Sequence, residues 1–321
     1  MMDAEDRRLF EEALSKITAS SSGPALDSAL ADLGWAEALD EDRPTAVSLL
    51  FELQGKENVS SSSLDVLLAH AIGVDITAPV VMLSRAGACS SPAVTSNGRV
   101  KGQGLARVGA GVGVGVGEVD LLVVAGDVVF AVPLAETSAR PIAGMDPDLG
   151  MAELSIDVPA DAAKTLASGV NWPTVVAVGQ LAIAHEIVGA CRTMLQLARD
   201  HALEREQFGR PISQFQAIRH RLAESLVAIE AADSALSAAW EDGTVSSARY
   251  AKAIAGTSAR TVARHAQQVL AGMGYTTEHA FHRYLRRVLV LDQLLGASKT
   301  LTREIGEELL QARALPPMLP L

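Results

Sequence analysis

Residues 202–216 read Ala-Leu-Glu-Arg-Glu-Gln-Phe-Gly-Arg-Pro-Ile-Ser-Gln-Phe-Gln, and this stretch decides how the second half of the chain folds. Apolar residues recur at helical spacing before it, from Thr174 to Glu204, and again after its middle, from Ser213 to Trp240. The two helical patterns meet near Phe208 and Gly209, and glycine favours a turn there. The sequence therefore predicts a bend that joins two long helices.

Two more helices are predicted beyond this pair. The first runs from Ser247, a residue type that caps helix starts, to Leu270, and the second begins near Thr277. Helix is expected from Asp161 onward. Long amphipathic helices with short connections pack antiparallel, so residues 160–321 are expected to form a C-terminal four-helix bundle.

The first half of the chain divides into a helical and an extended region. Apolar residues three or four positions apart predict an N-terminal helical domain over residues 1–77. Short β-rich runs broken by Gly, Asp and Pro predict a middle β domain over residues 78–159. Gly126 and Asp127 separate two such runs as a hairpin turn, which favours a small antiparallel sheet or barrel. The predicted fold class is mainly α with a small β domain.

Glycine alternates with Val or Ala from Gly109 to Gly117. A run of this kind resembles a phosphate-binding loop. No strand-turn-helix context with a following Lys-Ser/Thr pair or a distant acid accompanies it, however. We therefore interpret the run as a flexible or closely packed pair of strands.

Composition and charge argue against several function classes. The chain has 321 residues, 49% of them hydrophobic, and a net charge of -11, whereas nucleic acids and anionic membranes require a cationic face. The acidic amino terminus lacks the apolar core of a signal peptide, and no apolar run is expected to reach the ~20 residues of a membrane helix. Cys89 and Cys191 lack CxxC spacing, so buried thiols are favoured over a disulfide framework or a zinc site. We expect a cytoplasmic protein that binds neither nucleic acid nor membrane.

Polar side chains at the bend are suited to an anionic ligand. Arg205 and Arg210 flank the turn, and guanidinium forks match phosphate oxygens, as do the free backbone N–H groups of a helix start. Amide side chains can meet ribose hydroxyls or adenine edges, and aromatic side chains can pack on a ring. The side chains of these two kinds are Gln207, Gln216, Gln268, Phe208 and Phe215.

Two other interpretations stay open from the residues alone. The arginines could form surface ion pairs with neighbouring glutamates rather than bind a ligand. The residues concerned are Arg205, Arg210, Arg219 and Arg221 on one side and Glu204, Glu206 and Glu224 on the other. A di-iron site would need inward Glu and Glu-x-x-His pairs; Glu278, His279 and His282 come closest, but no second pair completes the set, so no metal is expected.

The bend and a later segment, Gln267-Gln268-Val269-Leu270-Ala271-Gly272-Met273-Gly274-Tyr275, together resemble the signature of the acyl-CoA dehydrogenase family. In that family the two segments lie in the C-terminal helical domain and hold the ADP half of an FAD that belongs to a neighbouring subunit. The resemblance assigns FAD contacts to Arg205, Gln207, Phe208, Phe215, Gln216, Gln268 and Gly272. Ala271 stands where the family has the first of two glycines.

The flavin-ring half of the family site is not matched in this sequence. The family's middle domain carries Thr-Glu-Pro, then Gly-Ser-Asp, and later a Trp-Ile-Ser/Thr segment, all of which line the isoalloxazine. The corresponding stretch here, Leu83 to Ser91, lacks this pattern, and no Trp occurs between Trp35 and Trp172. The resemblance therefore covers half of a flavin site.

The catalytic base of the family is also not matched. The reaction needs a carboxylate that removes the α-proton of the acyl thioester. The two positions at which the family places this glutamate are Leu295 and Thr257 here. The substrate-facing Asp and Arg of the first long helix are replaced near Ala177 and Gln180, and Asp292 remains as a displaced alternative base.

The resemblance thus implies a non-catalytic subunit of a heteromeric α2β2 acyl-CoA dehydrogenase. The chain would donate contacts to an FAD seated in a catalytic partner subunit, which would also hold most of the acyl-CoA substrate. Two-gene members of the family act on steroid side-chain CoA thioesters, so a polycyclic acyl-CoA is the expected substrate. Two alternatives remain: a self-sufficient homomeric dehydrogenase with a displaced base, and a scaffold of the same fold that binds no flavin.

Overall fold

The computed structural model describes residues 2–76, 78–108 and 120–313. Within these residues helices come first, strands second and helices again third, which confirms a mainly α fold with a small β part. The glycine-rich run from Gly109 to Gly117 lies outside the described residues. Its interpretation as a strand pair stays a prediction.

Four helices form the first region of the described chain: α1 Ala4–Ser20, α2 Pro24–Leu33, α3 Trp35–Glu57 and α4 Ser63–Ile72. The carboxylate of Asp3 caps α1 by accepting two backbone N–H bonds of the first turn. Gly34 and Gly73 end α2 and α4 in the left-handed conformation, which glycine adopts without steric cost. Trp35 and Phe51 meet edge to face in the core between these helices.

Eight strands of the described chain form one mixed sheet: β1 Val80–Val81, β2 Ala93–Ser96, β3 Arg99–Arg107, β4 Asp120–Ala125, β5 Val128–Pro133, β6 Ser138–Pro141, β7 Met151–Pro159 and β8 Lys164–Ser168. Their order is β6-β7-β3-β2-β4-β5-β8, and β1 pairs in parallel with β4. Strands β4 and β5 form the predicted hairpin, with Ala125 opposite Val128 across Gly126 and Asp127.

Both faces of the sheet are buried at strands β4 and β5. On β4, Leu121 and Val123 point into a core that the strands form among themselves, whereas Leu122 and Val124 point into a core shared with the helices. The alternation follows from the two-residue period of a strand. The sheet is therefore attached to the helical part through one face.

The expectation of helix from Asp161 onward is wrong at its start. Residues Lys164–Ser168 form β8, which pairs antiparallel with β5, and the next helix begins only at Trp172. The strand is short and polar, so its own sequence lacks a clear alternation. Pairing with the buried strand β5, more than 30 positions earlier in the chain, determines its conformation.

Five helices and a short hairpin make up the rest of the described chain: α5 Trp172–Glu204, β9 Glu206–Gln207, β10 Arg210–Pro211, α6 Gln216–Asp242, α7 Val245–Leu270, α8 Phe281–Gln293 and α9 Ser298–Ala312. The helices α5, α6, α7 and α8 match the four helices that the sequence predicts. The predicted cap Ser247 is wrong: Thr244 caps α7, and its hydroxyl accepts the backbone N–H of Ser247.

Helix α5 lies against the backbone of α3. A Cβ built on Gly189 would stand 2.0 Å from the carbonyl oxygen of Glu52, and one on Gly55 would stand 1.9 Å from that of Glu186. No side chain fits at either position. The two glycines thus set the distance between the N-terminal helices and the central helix of the bundle.

Helix α5 is also the one helix of the described residues that is long and apolar enough to cross a membrane. The sequence was expected to contain no such run. Within this fold 89% of its most apolar window is buried, so packing as a central core helix accounts for its composition.

Candidate functional site

The predicted bend is a tight hairpin between α5 and α6. Arg205 ends α5, its carbonyl accepts the backbone N–H of Ile212, and Gln207 pairs with Arg210 across a two-residue turn. The turn residues Phe208 and Gly209 both have positive φ, 55° and 75°. This is the backbone geometry of the tightest hairpins, and it is uncommon for an aromatic residue.

Aromatic rings and one guanidinium form a stack at the hairpin. The Arg210 Cζ lies 4.4 Å from the centroid of the Phe215 ring, and the Phe208 ring meets Phe215 edge to face at 6.1 Å. Cation–π contact holds the guanidinium over the ring. The Phe208 side chain nevertheless stays 91% exposed.

The structure brings five of the seven predicted FAD contacts together at this bend. Arg205, Gln207, Phe208 and Gln216 are exposed, and Phe215 is half-buried. The other two lie elsewhere on the surface: Gln268 is in the last turn of α7, and Gly272 is in the 3-10 turn Ala271–Tyr275 that follows. No hydrogen bond or ring contact joins these two residues to the hairpin in the described chain. All seven roles in cofactor binding stay predictions.

The alternative of surface ion pairs at the bend is not realised among the described residues. With a limit of 4.0 Å between nitrogen and oxygen, none of the four arginines pairs with a glutamate of this stretch. Glu224 instead lies 3.5 Å from the Nε2 of His265. The arginines at the bend are therefore available to a ligand.

Neither of the two positions expected for the catalytic glutamate carries a carboxylate. Leu295 is 1% exposed, with φ 53°, and its carbonyl oxygen accepts the Nε2–H of Gln180 at 2.8 Å. Thr257 is exposed, and its hydroxyl donates to the carbonyl oxygen of Ala253 one turn earlier. Neither side chain can act as a general base for carbon acid chemistry.

Asp292, the displaced alternative, is a buried structural carboxylate. It is 2% exposed, accepts an N–H of Arg260 at 2.6 Å and accepts the backbone N–H of Ser298 at 3.1 Å. Beside it the fully buried Lys252 donates to the carbonyl oxygens of Asp292 and Gly296. These bonds hold the loop between α8 and α9 in place. The Asp292 carboxylate is therefore engaged in structural hydrogen bonds.

Sequence reasoning missed Lys252 because its burial depends on a helix 40 positions later. Burial lowers the pKa of Lys252 to about 8, and the neighbouring Asp292 opposes this shift while Arg260 adds to it. The two carbonyl oxygens keep the ammonium hydrogen-bonded. A lysine in the middle of an otherwise ordinary helical pattern gives no local signal of such a role.

A second buried charge cluster joins three regions of the chain. The Arg287 guanidinium is fully buried and donates to Asp146 at 2.5 Å, to Glu186 at 3.0 Å and to the carbonyl oxygen of Val59 at 2.8 Å. Burial raises the pKa of the Glu186 carboxyl, and Arg287 and Arg107 counter this effect. Sequence reasoning missed this cluster too, since Arg287 and its acceptors are at least 40 positions apart.

The segment that corresponds to the family's flavin-ring motifs borders an open groove of about 470 Å³. Ser84, Ser90 and Ser91 supply hydroxyl groups there, and Arg85 and Lys101 supply cations. The Ser84 hydroxyl donates to the carbonyl oxygen of Ser90 and thus closes the segment on itself. The groove is polar, and no aromatic side chain lines it.

Metal chemistry finds no support in the described residues, where no group of three or more His, Cys, Asp or Glu could hold an ion. His279 and His282 contact backbone instead: the Nδ1 of His279 accepts the N–H of Phe281, and the Nδ1 of His282 lies 2.7 Å from the carbonyl oxygen of His279. Both cysteines are free, Cys191 buried and Cys89 half-buried.

Comparisons with known proteins agree with the fold. Residues 174–310 match the family model described as acyl-CoA dehydrogenase, C-terminal domain. The acyl-CoA dehydrogenase IpdE2 of Mycobacterium tuberculosis is 28% identical over 327 residues, which cover 96% of this chain and 98% of IpdE2.

Three solved structures share the fold over nearly the whole chain. A variant of the Tcur3481-Tcur3483 steroid ACAD has a TM-score of 0.78 and 22% identity, covering 97% of this chain and 99% of that one. The ChsE4-ChsE5 complex from Mycobacterium tuberculosis has a TM-score of 0.76 and 22% identity, covering 98% and 99%. A glutaryl-CoA dehydrogenase from Mycobacterium smegmatis in complex with FADH2 has a TM-score of 0.71 and 15% identity, covering 98% and 97%.

The order of helices and sheet, the hairpin between α5 and α6, and the full-length match to IpdE2 agree with one another. The family model covers residues 174–310, which are nearly all of the helical region that carries the hairpin. Residues 174–310 therefore form an acyl-CoA dehydrogenase C-terminal domain, and the chain over nearly its whole length is similar to acyl-CoA dehydrogenases, which normally bind FAD.

Proposed function

We propose that this chain is the non-catalytic subunit of a heteromeric acyl-CoA dehydrogenase and that it contacts the ADP half of an FAD held by a catalytic partner. The observation that carries the proposal is the hairpin at Phe208. Its aromatic side chain is 91% exposed on a turn with positive φ. Strained residues of this kind persist where function requires them, and an exposed aromatic ring is suited to contact another molecule.

The residues at the bend fit the ADP half of the dinucleotide. Arg205 and Arg210 supply guanidinium groups for the diphosphate, and no carboxylate within the described residues neutralises them. Gln207 and Gln216 are exposed amides that can meet hydroxyl groups or a base edge. All these groups face outward, so they are open to an FAD held by a neighbouring subunit, as the proposal requires.

The residues of this chain do not fit the isoalloxazine half. The segment at Ser84 to Ser91 offers hydroxyl groups and no aromatic side chain, and Leu295 closes the position of the base with a buried apolar group. Bound FAD supplies the hydride acceptor for α,β-dehydrogenation of an acyl-CoA thioester. The general base and most of the acyl-CoA site therefore belong to the partner in this proposal.

The relatives favour a two-protein assembly and a steroid substrate class. ChsE4-ChsE5 is a complex of two proteins, and Tcur3481-Tcur3483 is a steroid ACAD. We extend both properties to this chain: an α2β2 tetramer with a catalytic acyl-CoA dehydrogenase subunit, acting on a steroid side-chain CoA thioester. We also propose that the enzyme is cytoplasmic.

The two alternatives meet specific obstacles. A self-sufficient enzyme with a displaced base would use Asp292, but Arg260 and the N–H of Ser298 already engage that carboxylate. A scaffold without flavin gives no reason for unpaired cations beside a strained, exposed Phe208. Both remain outcomes of the experiment below.

The experiment is co-purification of this chain with the product of a neighbouring acyl-CoA dehydrogenase gene, followed by the visible spectrum and an FAD assay. We expect little flavin on the chain alone, two FAD per tetramer in the complex, and a clear loss of FAD in the Arg205→Ala complex. Arg140→Ala is the matched control, because it removes one exposed arginine from strand β6. Yellow, active protein without a partner supports the homomeric alternative, and unchanged flavin in Arg205→Ala supports the scaffold.

A further inference from the structure

A groove with an apolar floor and an acidic rim lies on the N-terminal helices. It encloses about 570 Å³ between the start of α3, the end of α4 and the residues that follow α4. The floor consists of the small or aliphatic residues Val66, Ala69, Val74, Ile76 and Pro79. The rim carries three acids, Glu37, Asp40 and Asp75, together with His70. These residues define what we call the acidic groove.

The negative charge of the acidic groove is not balanced by cations. Glu37, Asp40 and Asp75 are exposed, and within the described part of the chain no lysine or arginine nitrogen lies within 4.0 Å of their carboxylate oxygens. Helix α4 also ends here, at Gly73, and the carbonyl groups of a helix C-terminus carry partial negative charge. The groove is therefore suited to a cationic group.

His70 does not neutralise the acidic groove. Its Nε2 lies 2.8 Å from Oδ1 of Asp40, and its Nδ1 lies 3.0 Å from Nη2 of Arg43. Because an arginine side chain has only donors, Nδ1 accepts, and the single ring hydrogen is on Nε2, which donates it to Asp40. The ring is thus neutral in this arrangement. It also orients the Asp40 carboxylate before a ligand arrives, which reduces the entropy lost on binding.

The exposure of the rim indicates an occupant that belongs to a larger molecule. A small-molecule site encloses about 70–90% of its ligand, whereas a groove with exposed carboxylates covers an occupant from one side only. A segment of another protein meets this condition, since the rest of that protein covers the other side. The lining specifies its chemistry: a Lys or Arg to meet the carboxylates and an aliphatic side chain to meet the floor.

The acidic groove and the hairpin lie at different ends of α5. A Cβ built on Gly179 would stand 3.0 Å from Cδ2 of Leu68, so α4 packs on the first half of α5. Arg205, where the hairpin begins, follows Gly179 by 26 positions. This separation corresponds to about 39 Å along the helix at about 1.5 Å per residue. An occupant of the acidic groove therefore leaves the hairpin accessible.

We propose that the acidic groove binds a short basic and aliphatic segment of another protein. Two features of the groove support this occupant: complementary charge at the rim and an apolar floor beneath it. The proposal is independent of the proposed function, because none of the groove residues is among the assigned FAD contacts.

The test is selection of a random peptide library, displayed on phage, against the purified full chain, followed by sequencing of the enriched peptides. We expect these peptides to carry Lys or Arg next to Leu, Ile or Val. Selection on the double variant Glu37→Gln/Asp75→Asn should not enrich them. The matched control is Glu230→Gln/Glu307→Gln, which removes two exposed carboxylates from α6 and α9 and should enrich the same peptides as the wild type.

Fluorescence polarisation then measures the affinity of the most enriched peptide, synthesised with a label. Glu37→Gln and Asp75→Asn should each weaken binding about threefold, and together about tenfold, as loss of exposed ion pairs does. Val66→Thr keeps the shape of the side chain but adds a hydroxyl group to the floor, so it should weaken binding too. Circular dichroism and the melting temperature of the two carboxylate variants should match the wild type, because Glu37 and Asp75 are exposed.

Several results would overturn the proposal: no enrichment on the wild type, enrichment of neutral or acidic peptides, or equal affinity of the wild type and the double groove variant. Displacement of the labelled peptide by an equal concentration of spermidine would assign the groove to a small polyamine instead. Self-association that disappears in the double groove variant would identify a second copy of the chain as the occupant. None of these results bears on the proposed function, which the FAD content of the complex and of its Arg205→Ala variant tests separately.

Discussion

The side chain of Leu295 packs against bare backbone of α5 at Gly179, where an added Cβ would lie 2.5 Å from its Cδ1. Leu68 approaches the same point at 3.0 Å. Leu295 is thus enclosed by apolar groups although its backbone has positive φ, a conformation that costs a branched residue free energy. Burial of the leucine side chain offsets this cost.

Leu295→Glu should destabilise the fold by about 3 to 5 kcal/mol at pH 7, because a carboxylate in this position has no partner. The loss should be smaller at pH 5, where the buried acid can take up a proton. Urea unfolding followed by circular dichroism measures both values. Leu295→Met is the matched control and should cost less than about 1.5 kcal/mol. Equal stability of the two variants would contradict an enclosed apolar site.

Ala271→Gly should stabilise the protein by about 1 kcal/mol. Ala271 follows α7 with φ 52° and ψ -129°, a region that suits glycine and strains a residue with a Cβ. The same substitution at Ala231, exposed within α6, should have the opposite sign and cost about 1 kcal/mol. Urea midpoints of the two variants give the comparison. A loss of stability at both positions would mean that the turn after α7 does not need glycine.

His185 should make the fold sensitive to mild acid. Its ring is buried, Nε2 accepts the indole N–H of Trp240, and burial lowers the pKa of the ring from 6.5 to about 4. The unfolded chain binds this proton below pH 6.5 and the folded chain only near pH 4, so stability decreases as pH falls through that window. The lowering of the His185 pKa corresponds to a loss of about 3 kcal/mol in the free energy of unfolding once the pH has fallen through the whole window.

The measurement for His185 compares unfolding free energies at pH 7 and pH 4.5. His185→Gln keeps an acceptor for Trp240 but does not titrate, so its stability should change less between the two pH values. His220→Gln, at an exposed position of α6, should retain the wild-type difference. Buried acids such as Asp65 titrate in the same range, and taking the difference between variant and wild type removes their contribution. If the unfolding free energy changes equally between pH 7 and pH 4.5 in His185→Gln and in the wild type, His185 is not the group responsible for the acid sensitivity.

Gly189→Ala should destabilise the fold by about 3 kcal/mol or more. The new Cβ would meet the backbone of α3 at 2.0 Å, and backbone atoms cannot move aside as a flexible side chain can. Gly306→Ala provides the matched control: no atom lies within 4 Å of its Cβ position in α9, so helix propensity should stabilise by up to about 1 kcal/mol. Thermal unfolding of both variants tests the pair; similar melting temperatures would argue against backbone contact between α3 and α5.

Sequence patterns were sufficient for the helices of the bundle and for one hairpin. The helices α5, α6 and α7 carry apolar residues at helical spacing over 26 or more positions, so the sequence pattern that predicts them is strong. Gly126 and Asp127 identify a turn by residue type alone. Strands such as β6 and β8 were missed, because they have four and five residues and depend on partners elsewhere in the chain.

The site was predictable only where one segment contains it. The five residues of the bend come together because they lie within 12 positions of one another. Capture of Asp292 by Arg260, burial of Lys252 and the close approach at Gly189 all depend on contacts between distant segments. No local pattern marks an aspartate whose partner lies 32 positions away on another helix.

The hydrogen bonds of Arg287 affect how the protein unfolds. Its hydrogen-bond acceptors belong to the loop after α3, to the turn before β7 and to α5, at sequence separations of 228, 141 and 101. Detaching any one of these segments leaves a dehydrated charge without its full complement of acceptors. Partial opening is therefore disfavoured relative to complete unfolding, and heating should melt the first helices, the sheet and the bundle in a single cooperative transition.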